Sequence, residues 1–389
     1  MIYDIRSLDL DDRTVLTRCD FNVPISAGAI TDPTRIDASL GTIRYILGHG
    51  GRAVLCSHLG RPENVSPEFS LKPVAAYLRS ALRMSVAFAP DCIGSEALEL
   101  VTSLPRGGVL LLENLRFHPG EEANDPQFAQ ELVRGMQVYV NDAFGSAHRA
   151  HASTEGVTRY LSERAAGFLM TRELNALRAL AENPARPYVA ILGGSKVKDK
   201  IRLIRNLLTK VDVLMIGGAM AYTFLKALGH GVGISRIEED MVALAAELLS
   251  EASRSRVRLL LPTDHVSAKI PEDGLGSHVV TSIPDGEMAL DIGPATVERF
   301  IDQLSGAKTI VWNGPLGRCE TPAFAQGTLR VGEAVAKSRA HSVLGGGDTV
   351  SALAHRAWSN GFSHISTGGG ATIEFLEGRD LPGVKALER

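Results

Sequence analysis

The chain has 389 residues, of which 44% are hydrophobic, 22% charged and 5% aromatic, and its formal net charge is −3. A single core rarely grows beyond about 250–300 residues, so this length predicts two domains with mainly aliphatic cores. The small net charge argues against a nucleic-acid partner held by bulk electrostatics. The four cysteines form neither a CxxC pair nor a Cys/His metal spacing, which argues against zinc and suits a reducing compartment.

The N-terminal segment is charged from its fourth residue and has no apolar signal core. The longest charge-free apolar stretch found, 213–225, is too short and too rich in glycine to span a bilayer. We therefore expect a cytoplasmic, soluble protein without a membrane partner.

Short aliphatic runs, each followed by Gly, Asn, Asp or His, recur along the chain. Such runs are typical of buried parallel strands that end in a turn. They occupy 15–22, 53–60, 109–117, 138–145, 189–196, 213–220, 258–265, 309–317 and 341–348. Helical patterns lie between them, for example at 72–82 and 240–250. The alternation predicts an α/β fold with parallel sheets.

A helical pattern near 162–181, followed by two X-Pro pairs, marks the expected domain boundary. We place the first domain at 1–170 and the second at 171–375. In open parallel sheets, ligands bind beyond the carboxyl ends of the strands, and the two halves differ there. The first half carries arginines and histidines after its strands. The second carries glycines, since 25 of the 39 glycines fall within 171–389.

Five arginines of the first half lie at or near predicted strand ends: Arg18, Arg35, Arg61, Arg116 and Arg149. A guanidinium matches carboxylate or phosphate geometry, so converging arginines would bind a small polyanion. Each arginine alone is more typical of a surface ion pair, but five in corresponding positions favour a site. Neighbouring polar residues are Asp20, Asn22, His58, His148 and His151. The last two histidines could contact the anion or orient Arg149.

Glycine-rich turns follow strands of the second half. GGSKVKDK (193–200) is predicted to open a helix with Lys196 and Lys200 on one face, where two ammonium groups would neutralise phosphates. GGGDT (345–349) offers amides and Asp348, which suits Mg²⁺, and STGGGA (366–371) offers three further amides. Alternatively, the lysines are solvated and each turn is merely tight. The P-loop, dinucleotide and nucleophile-elbow patterns are absent from the sequence.

Together these segments resemble the phosphoglycerate kinase family along essentially the whole chain. The motifs that carry the resemblance are RCDFNVP (18–24), ITDPTRI (30–36), SHLGRP (57–62), LLENLRFHPGEE (111–122), NDAFGSAHRAHAS (141–153), LGGSKVKDKI (192–201), GGAMAYTFLKA (217–227), LDIGPAT (290–296), TIVWNGPLG (309–317), GGGDT (345–349) and STGGGATIEFLEGRDLPGV (366–384).

The resemblance implies a monomer with two Rossmann-like domains that face a cleft, are joined by a hinge helix and close during the reaction. The tail, 376–389, is implied to complete the first domain. The implied reaction is reversible phosphoryl transfer between 1,3-bisphosphoglycerate and ADP, giving 3-phosphoglycerate and ATP with Mg²⁺. It would serve glycolysis, gluconeogenesis or carbon fixation.

The resemblance also assigns residues by position. The implied acid-substrate residues are Asp20, Phe21, Asn22, Arg35, His58, Leu59, Gly60, Arg61, Arg116 and Arg149. The implied nucleotide residues are Lys200, Glu320, Gly346, Gly347, Asp348 and Thr349, with Glu320 on the ribose and Asp348 on the metal. Arg35, Lys196 and the amides of Gly368, Gly369 and Gly370 are implied to stabilise the transferring phosphoryl group.

The chain departs from the family pattern at Cys19, Ala219, Ala289, Arg318 and Cys319. The added methyl groups at 219 and 289 replace glycines near the base, so they are predicted to alter nucleotide affinity and selectivity rather than the reaction. Two alternatives remain open: a kinase of this fold for another small acid, and a binding protein without catalysis. Retention of Arg35, Lys196 and Asp348 speaks against the second.

Overall fold

The computed structural model describes residues 2–272, 274–354 and 356–388. The chain divides into two compact units: unit 1 extends to Asn175 and resumes at Asp380, and unit 2 runs from Ala176 to Arg379. The sequence puts the boundaries at 170 and 376 instead. The first boundary falls inside the helix Phe168–Ala181, which no local sequence signal interrupts.

The strands of unit 1 are β1 (Thr14–Arg18), β2 (Ile25–Ser26), β3 (Ala29–Ile30), β4 (Arg52–Cys56), β5 (Ala87–Phe88), β6 (Val109–Leu111), β7 (Val138–Asn141) and β8 (Arg164–Ala166). Within the described part of the chain, six of them form a parallel sheet in the order β5-β6-β4-β1-β7-β8. All five residues of β1 are buried, as expected for a central parallel strand covered on both faces.

The helices that begin in unit 1 are α1 (Thr34–Gly48), α2 (Lys72–Leu82), α3 (Gly94–Thr102), α4 (Pro119–Glu122), α5 (Pro126–Leu132) and α6 (Phe168–Ala181). Ile36 and Ile43 of α1 and Val74 of α2 pack with Val15 and Leu55 of the sheet in one apolar cluster. The bounds of α2 agree with its helical pattern. The helix expected at 162–181 begins later, because 164–166 instead pair with β7 as a strand.

The strands of unit 2 are β9 (Tyr188–Leu192), β10 (Val213–Ile216), β11 (Arg258–Leu260), β12 (His265–Ala268), β13 (His278–Val280), β14 (Met288–Ile292), β15 (Thr309–Asn313), β16 (His341–Gly345) and β17 (His364–Ile365). The described strands form a parallel sheet, β11-β10-β9-β15-β16-β17, and an antiparallel sheet, β13-β12-β14. The parallel sheets of both units confirm the predicted α/β class. The antiparallel sheet was not expected.

The helices of unit 2 are α7 (Ile201–Leu208), α8 (Met220–Ala227), α9 (Val242–Arg254), α10 (Pro294–Leu304), α11 (Gln326–Lys337), α12 (Gly347–Leu353) and α13 (Gly370–Leu376). Phe300 of α10 and Val331 of α11 pack with Trp312 in the apolar core. None of the helices in the described ranges is long and apolar enough to cross a membrane.

The tail returns to unit 1 through α14 (Pro382–Lys385). The backbone N–H of Gly383 donates to the carbonyl oxygen of Ala147 over 2.8 Å, and Asn141 Nδ2 donates to the Gly383 carbonyl oxygen over 3.3 Å. Ile2 and Glu388 form an antiparallel bridge. The two ends of the chain therefore meet in unit 1.

Candidate functional site

Asp20 and Arg35, two of the predicted acid-substrate residues, form an ion pair. Arg35 Nη1 lies 3.3 Å from both carboxylate oxygens of Asp20 and 3.2 Å from the carbonyl oxygen of Asn22. Asp20 is buried, whereas the Arg35 side chain remains 38% exposed. One end of the guanidinium is thus fixed by the protein while the side chain keeps solvent-accessible surface for a ligand.

The loop that carries Leu59, Gly60 and Arg61 is held by two asparagines. Asn22 Oδ1 accepts from the Gly60 N–H over 2.9 Å. Asn114 bonds both the N–H and the carbonyl oxygen of Leu59, at 3.2 and 2.8 Å. Gly60 has φ +63°, and a Cβ there would overlap the ring of Phe69, so the turn requires glycine. Asn114 lies within the segment LLENLRFHPGEE (111–122), but nothing in the sequence alone distinguishes it from its neighbours.

Arg18 has a structural role rather than the anion-binding role that its position suggested. It is 1% exposed, its Nε donates to Ser153 Oγ over 2.8 Å, and it also donates to the Cys19 carbonyl oxygen. Its Nη2 lies 3.1 Å from His58 Nδ1. The interpretation of five anion-binding arginines is therefore wrong for Arg18, which instead orients His58 from below the surface.

The side chains of Phe21 and Leu59 are also buried, at 0% and 5% exposure. The backbone N–H of Phe21 donates to Ser57 Oγ over 2.9 Å, which fixes the turn after β1. A ligand could therefore contact Phe21 and Leu59 only through their main-chain atoms.

The remaining arginines differ in how far the protein already pairs them, and Arg116 Nη2 forms an ion pair with Glu122 Oε1 at 2.8 Å. Arg116 Nη1 donates to the Gly60 carbonyl oxygen over 2.5 Å, and Arg149 Nε donates to His148 Nε2 over 3.2 Å. The second contact favours an orienting role for His148. Arg61 is exposed and has no hydrogen-bond or ion-pair partner among the described residues.

The pKa of His58 shows that these charges act on one place. Burial lowers this pKa well below its usual value, and the positive charges of Arg18, Arg116, Arg149 and Arg35 lower it further. Burial and neighbouring cations also lower the pKa of His151 to about 4. Both imidazoles are consequently neutral at pH 7, and the site's positive charge comes from its arginines.

In unit 2, most of the residues predicted to bind phosphate line one cavity of about 280 Å³. Its lining residues include Lys196, Lys200, Gly346, Gly347, Asp348 and Thr349. Lys196 precedes the helical segment, since a 3₁₀ turn spans Lys198–Lys200 and α7 begins at Ile201. The prediction that both lysines share one helix face is therefore wrong, although both line this cavity. Burial lowers the pKa of Lys200, while Asp199 and Asp348 oppose the shift.

Asn313, at the end of β15, also lines this cavity and was not singled out from the sequence. Its Nδ2 is buried and has no hydrogen-bond partner among the described residues. A Cβ at Gly346 would lie 2.9 Å from that nitrogen, so a larger residue there would crowd the amide. An unpaired buried donor beside two lysines suits a phosphate oxygen. Thr349, by contrast, is fully buried and its Oγ1 accepts from the Gly314 N–H over 2.7 Å.

A larger cavity of about 550 Å³ shares Gly194, Ser195, Pro315 and Asp348 with the first. The rest of its lining is mostly apolar and includes Ala219, Met288, Ala289 and Leu290, with Arg236, Arg318 and Glu320. The antiparallel sheet supplies three of these residues through β14. Arg318 Nη1 donates to the Pro271 carbonyl oxygen over 3.1 Å.

The 366–371 loop has fewer available amides than its three glycines suggested. The Gly368 N–H donates to Ser366 Oγ over 3.1 Å. The amides of Gly369 and Gly370 have no acceptor among the described residues, and Gly369 has φ +51°. Of α13, only Ile373 lines the smaller cavity, so these glycines are not brought onto the cavity walls described above.

Asp348 offers chemistry that fits a magnesium ion. It lies in the first turn of α12, is exposed, and lines both cavities. Its carboxylate accepts no hydrogen bond from the residues that the structure describes. Mg²⁺ prefers hard oxygen ligands and commonly takes one carboxylate together with phosphate oxygens and water. The donor set present here therefore fits Mg²⁺ shared with a nucleotide.

A family model described as phosphoglycerate kinase matches residues 5–379. The chain belongs to the phosphoglycerate kinase family. It is 52% identical over 395 residues to a phosphoglycerate kinase of Koribacter versatilis, covering 98% of both chains. It is 51% identical to a cytosolic phosphoglycerate kinase of Triticum aestivum, covering 98% of this chain and 96% of the relative. The fold is similar to that of a solved phosphoglycerate kinase of Coxiella burnetii, with a TM-score of 0.90 and 39% sequence identity. The match covers 100% of this chain and 99% of the Coxiella chain.

The family and the two Rossmann-like units with parallel sheets are those predicted from the sequence, and the reaction predicted there is the reaction of this family. The protein is a phosphotransferase that uses a carboxyl group as acceptor, and it transfers a phosphoryl group between 1,3-bisphosphoglycerate and ADP to give 3-phosphoglycerate and ATP.

Proposed function

We propose that unit 1 binds the three-carbon acid of this reaction and that unit 2 binds the nucleotide together with Mg²⁺ at Asp348. The observation that carries the first assignment is the set of arginines acting on His58. Phosphoglycerate carries a carboxylate and a phosphate, and arginine forks match both. In this proposal Arg35, Arg61, Arg116 and Arg149 bind the anion, and Asp20 and Asn22 position Arg35 and the Gly60 loop.

The two joined cavities of unit 2 support the nucleotide assignment. The smaller one combines Lys196 and Lys200 with the unpaired amide of Asn313, which suits phosphates. The larger one has the apolar lining expected for a base, and Glu320 there offers acceptors for ribose hydroxyls. Ala219 and Ala289 line it as well, so their methyl groups would act on the base rather than on the transferred group.

The proposed phosphoryl transfer depends on neutralising the negative charge of the phosphate oxygens. A carboxylate oxygen of the acid attacks the terminal phosphorus of ATP, the bond from that phosphorus to the β-phosphate oxygen breaks, and no side chain becomes covalently attached. Arg35 and Lys196 neutralise the oxygens of the moving group. The amides of Gly369 and Gly370 lie outside the cavity walls described above but have no acceptor among the described residues, and in this proposal they donate to the moving group. When bound, Mg²⁺ would supply further neutralisation of the phosphate oxygens, with Asp348 as its protein ligand.

Steady-state turnover of 3-phosphoglycerate with ATP and Mg²⁺, coupled to NADH oxidation by glyceraldehyde-3-phosphate dehydrogenase, tests these roles. We expect Arg35→Ala and Lys196→Ala each to lower kcat by a factor of about 100 or more, because one such charge stabilises the transition state by a few kcal/mol. Lys198→Ala and Arg44→Ala remove exposed charges from the same segments, two residues after Lys196 and later in α1, and serve as matched controls that retain turnover. Wild-type-like kcat in either test variant would refute the assigned role of that residue.

We also propose that the chain acts as a monomer in the cytosol. The wheat relative named cytosolic supports the location. Sedimentation at the assay concentration would reveal any larger assembly.

A further inference from the structure

Unit 2 contains a third cavity, of about 600 Å³, that shares no lining residue with the two nucleotide cavities. We call it the α9 cavity, because Leu249, Ala252 and Ser253 of α9 line it. Leu225 of α8 and Leu259 of β11 extend its apolar wall. Small-molecule sites usually enclose roughly 300–1,000 Å³ and are mainly apolar with a few polar groups, and this cavity matches that description.

The ionisable groups of the α9 cavity are all basic. They are Arg299, His230 and His265, and no aspartate or glutamate is among the described residues that line it. Arg299 Nη1 makes one long hydrogen bond, 3.4 Å, to the Leu261 carbonyl oxygen. No carboxylate within the described ranges pairs with its guanidinium. Arg299 is exposed, so the cavity offers a solvent-accessible positive charge, not paired with any carboxylate of the described residues, beside an apolar wall.

His265 adds a second, independent sign of a ligand. This residue of β12 is 4% exposed, and its Nδ1 is buried without a hydrogen-bond partner among the described residues. Buried polar atoms are nearly always paired, so an unpaired one in a cavity wall indicates a partner that binds there. Burial lowers the pKa of His265 to about 4, so the ring is neutral at pH 7 and offers a hydrogen bond rather than a charge.

We propose that the α9 cavity is a second small-molecule site that binds an amphipathic anion. The apolar body of the ligand packs against Leu225, Leu249 and Leu259, Arg299 supplies the countercharge, and His265 Nδ1 supplies a hydrogen bond to the head group. A medium-chain or aromatic carboxylate or sulfonate has this chemistry. The site is separate from the nucleotide cavities, so the proposal does not depend on the residue roles assigned above.

The direct test is fluorescence titration of the full chain with 1-anilinonaphthalene-8-sulfonate, in the presence of saturating ATP and Mg²⁺. We expect saturable binding to one site and displacement by octanoate. Arg299→Glu should weaken binding at least tenfold, whereas Arg339→Glu, the same charge change at an exposed position outside the described cavities, should leave it unchanged. His265→Phe, which keeps a ring but removes the nitrogen, should weaken binding several-fold.

Leu249→Trp provides a variant that does not depend on charge. Leu249 is only partly buried, so the larger ring would fill the cavity without entering the core, and we expect probe binding to be lost. All variants should retain wild-type turnover, which separates this result from a failure of the catalytic assignments. Absence of saturable binding, or binding that survives both Arg299→Glu and Leu249→Trp, would overturn the proposal.

Discussion

At the scale of single residues, Arg18 of unit 1 is buried and contacts other side chains of the protein rather than the ligand. Arg18 donates to Ser153 Oγ, and Ser153 Oγ donates to Glu121 Oε1 over 2.6 Å. Glu121 is fully buried, and burial raises the pKa of its carboxyl while Arg18 and Ser153 lower it. The sequence revealed that arginines cluster after strands, but it could not separate Arg18 from Arg35, because exposure depends on packing between distant segments.

This buried network predicts a stability effect. Replacing Glu121 by Gln removes the negative charge nearest to the Arg18–Ser153 contact, and we expect a loss of about 3 kcal/mol in unfolding free energy, because breaking a buried ionic network leaves a charge uncompensated. Glu131→Gln is the matched control: Glu131 pairs with Arg134 at the surface, where such pairs contribute about 0–1 kcal/mol. Urea titration followed by circular dichroism measures both, and equal midpoints for the two variants would contradict the expected role of Glu121.

At the scale of elements, the sequence predicted the strands that are buried on both faces, because their burial is visible in the local run of residues. Continuous aliphatic runs such as 189–192 and 213–216 identified parallel strands, because a strand covered on both faces needs no polar positions. The pattern failed for β13, whose residues His278–Val280 are largely exposed, and for β8, a short strand defined by pairing with β7. The prediction also placed Lys196 in a helix, which is wrong, because the spacing of residues alone does not show where a helix begins.

The Gly60 turn allows a test at this scale. Gly60→Ala would place a methyl group against Phe69 in a left-handed backbone conformation, and we expect the loop to shift. Because Asn22 and Arg116 bond this turn, kcat/KM for 3-phosphoglycerate should fall about tenfold or more, while the KM for ATP stays unchanged. Gly48→Ala, at the end of α1 with no atom within 4 Å of the added methyl, should have wild-type kinetics. An unaltered kcat/KM in Gly60→Ala would show that the turn does not position the acid site.

At the scale of the whole molecule, unit 1 is discontinuous in sequence. Leu381, Val384 and Leu387 are all less than 10% exposed, so the tail is part of the unit's core rather than an appendage. The sequence indicated a returning tail only through family resemblance, because its contacts with Asn141 and Ala147 join residues far apart in the chain.

Deleting 380–389 should therefore destabilise unit 1 by several kcal/mol, since burying one Leu or Val side chain contributes about 1.5–3 kcal/mol. We expect a lower melting temperature and faster proteolysis within unit 1, measured by calorimetry and by mass spectrometry of limited digests. Lys385→Ala is the control, because Lys385 is exposed and, among the described residues, its side chain pairs only with Asp380 at the surface. A truncated chain that melts at the wild-type temperature would mean that the tail is not part of the core.

The discontinuity of unit 1 also sets an order of events during translation. Leu381, Val384 and Leu387 leave the ribosome only after every residue of unit 2 has been synthesised. Unit 2 is continuous in sequence and can complete its core as a single segment, whereas unit 1 is made first and completed last. Newly made chains therefore pass through a stage in which the acid-binding unit lacks part of its apolar core, and this is the stage at which a chaperone or protease would recognise them.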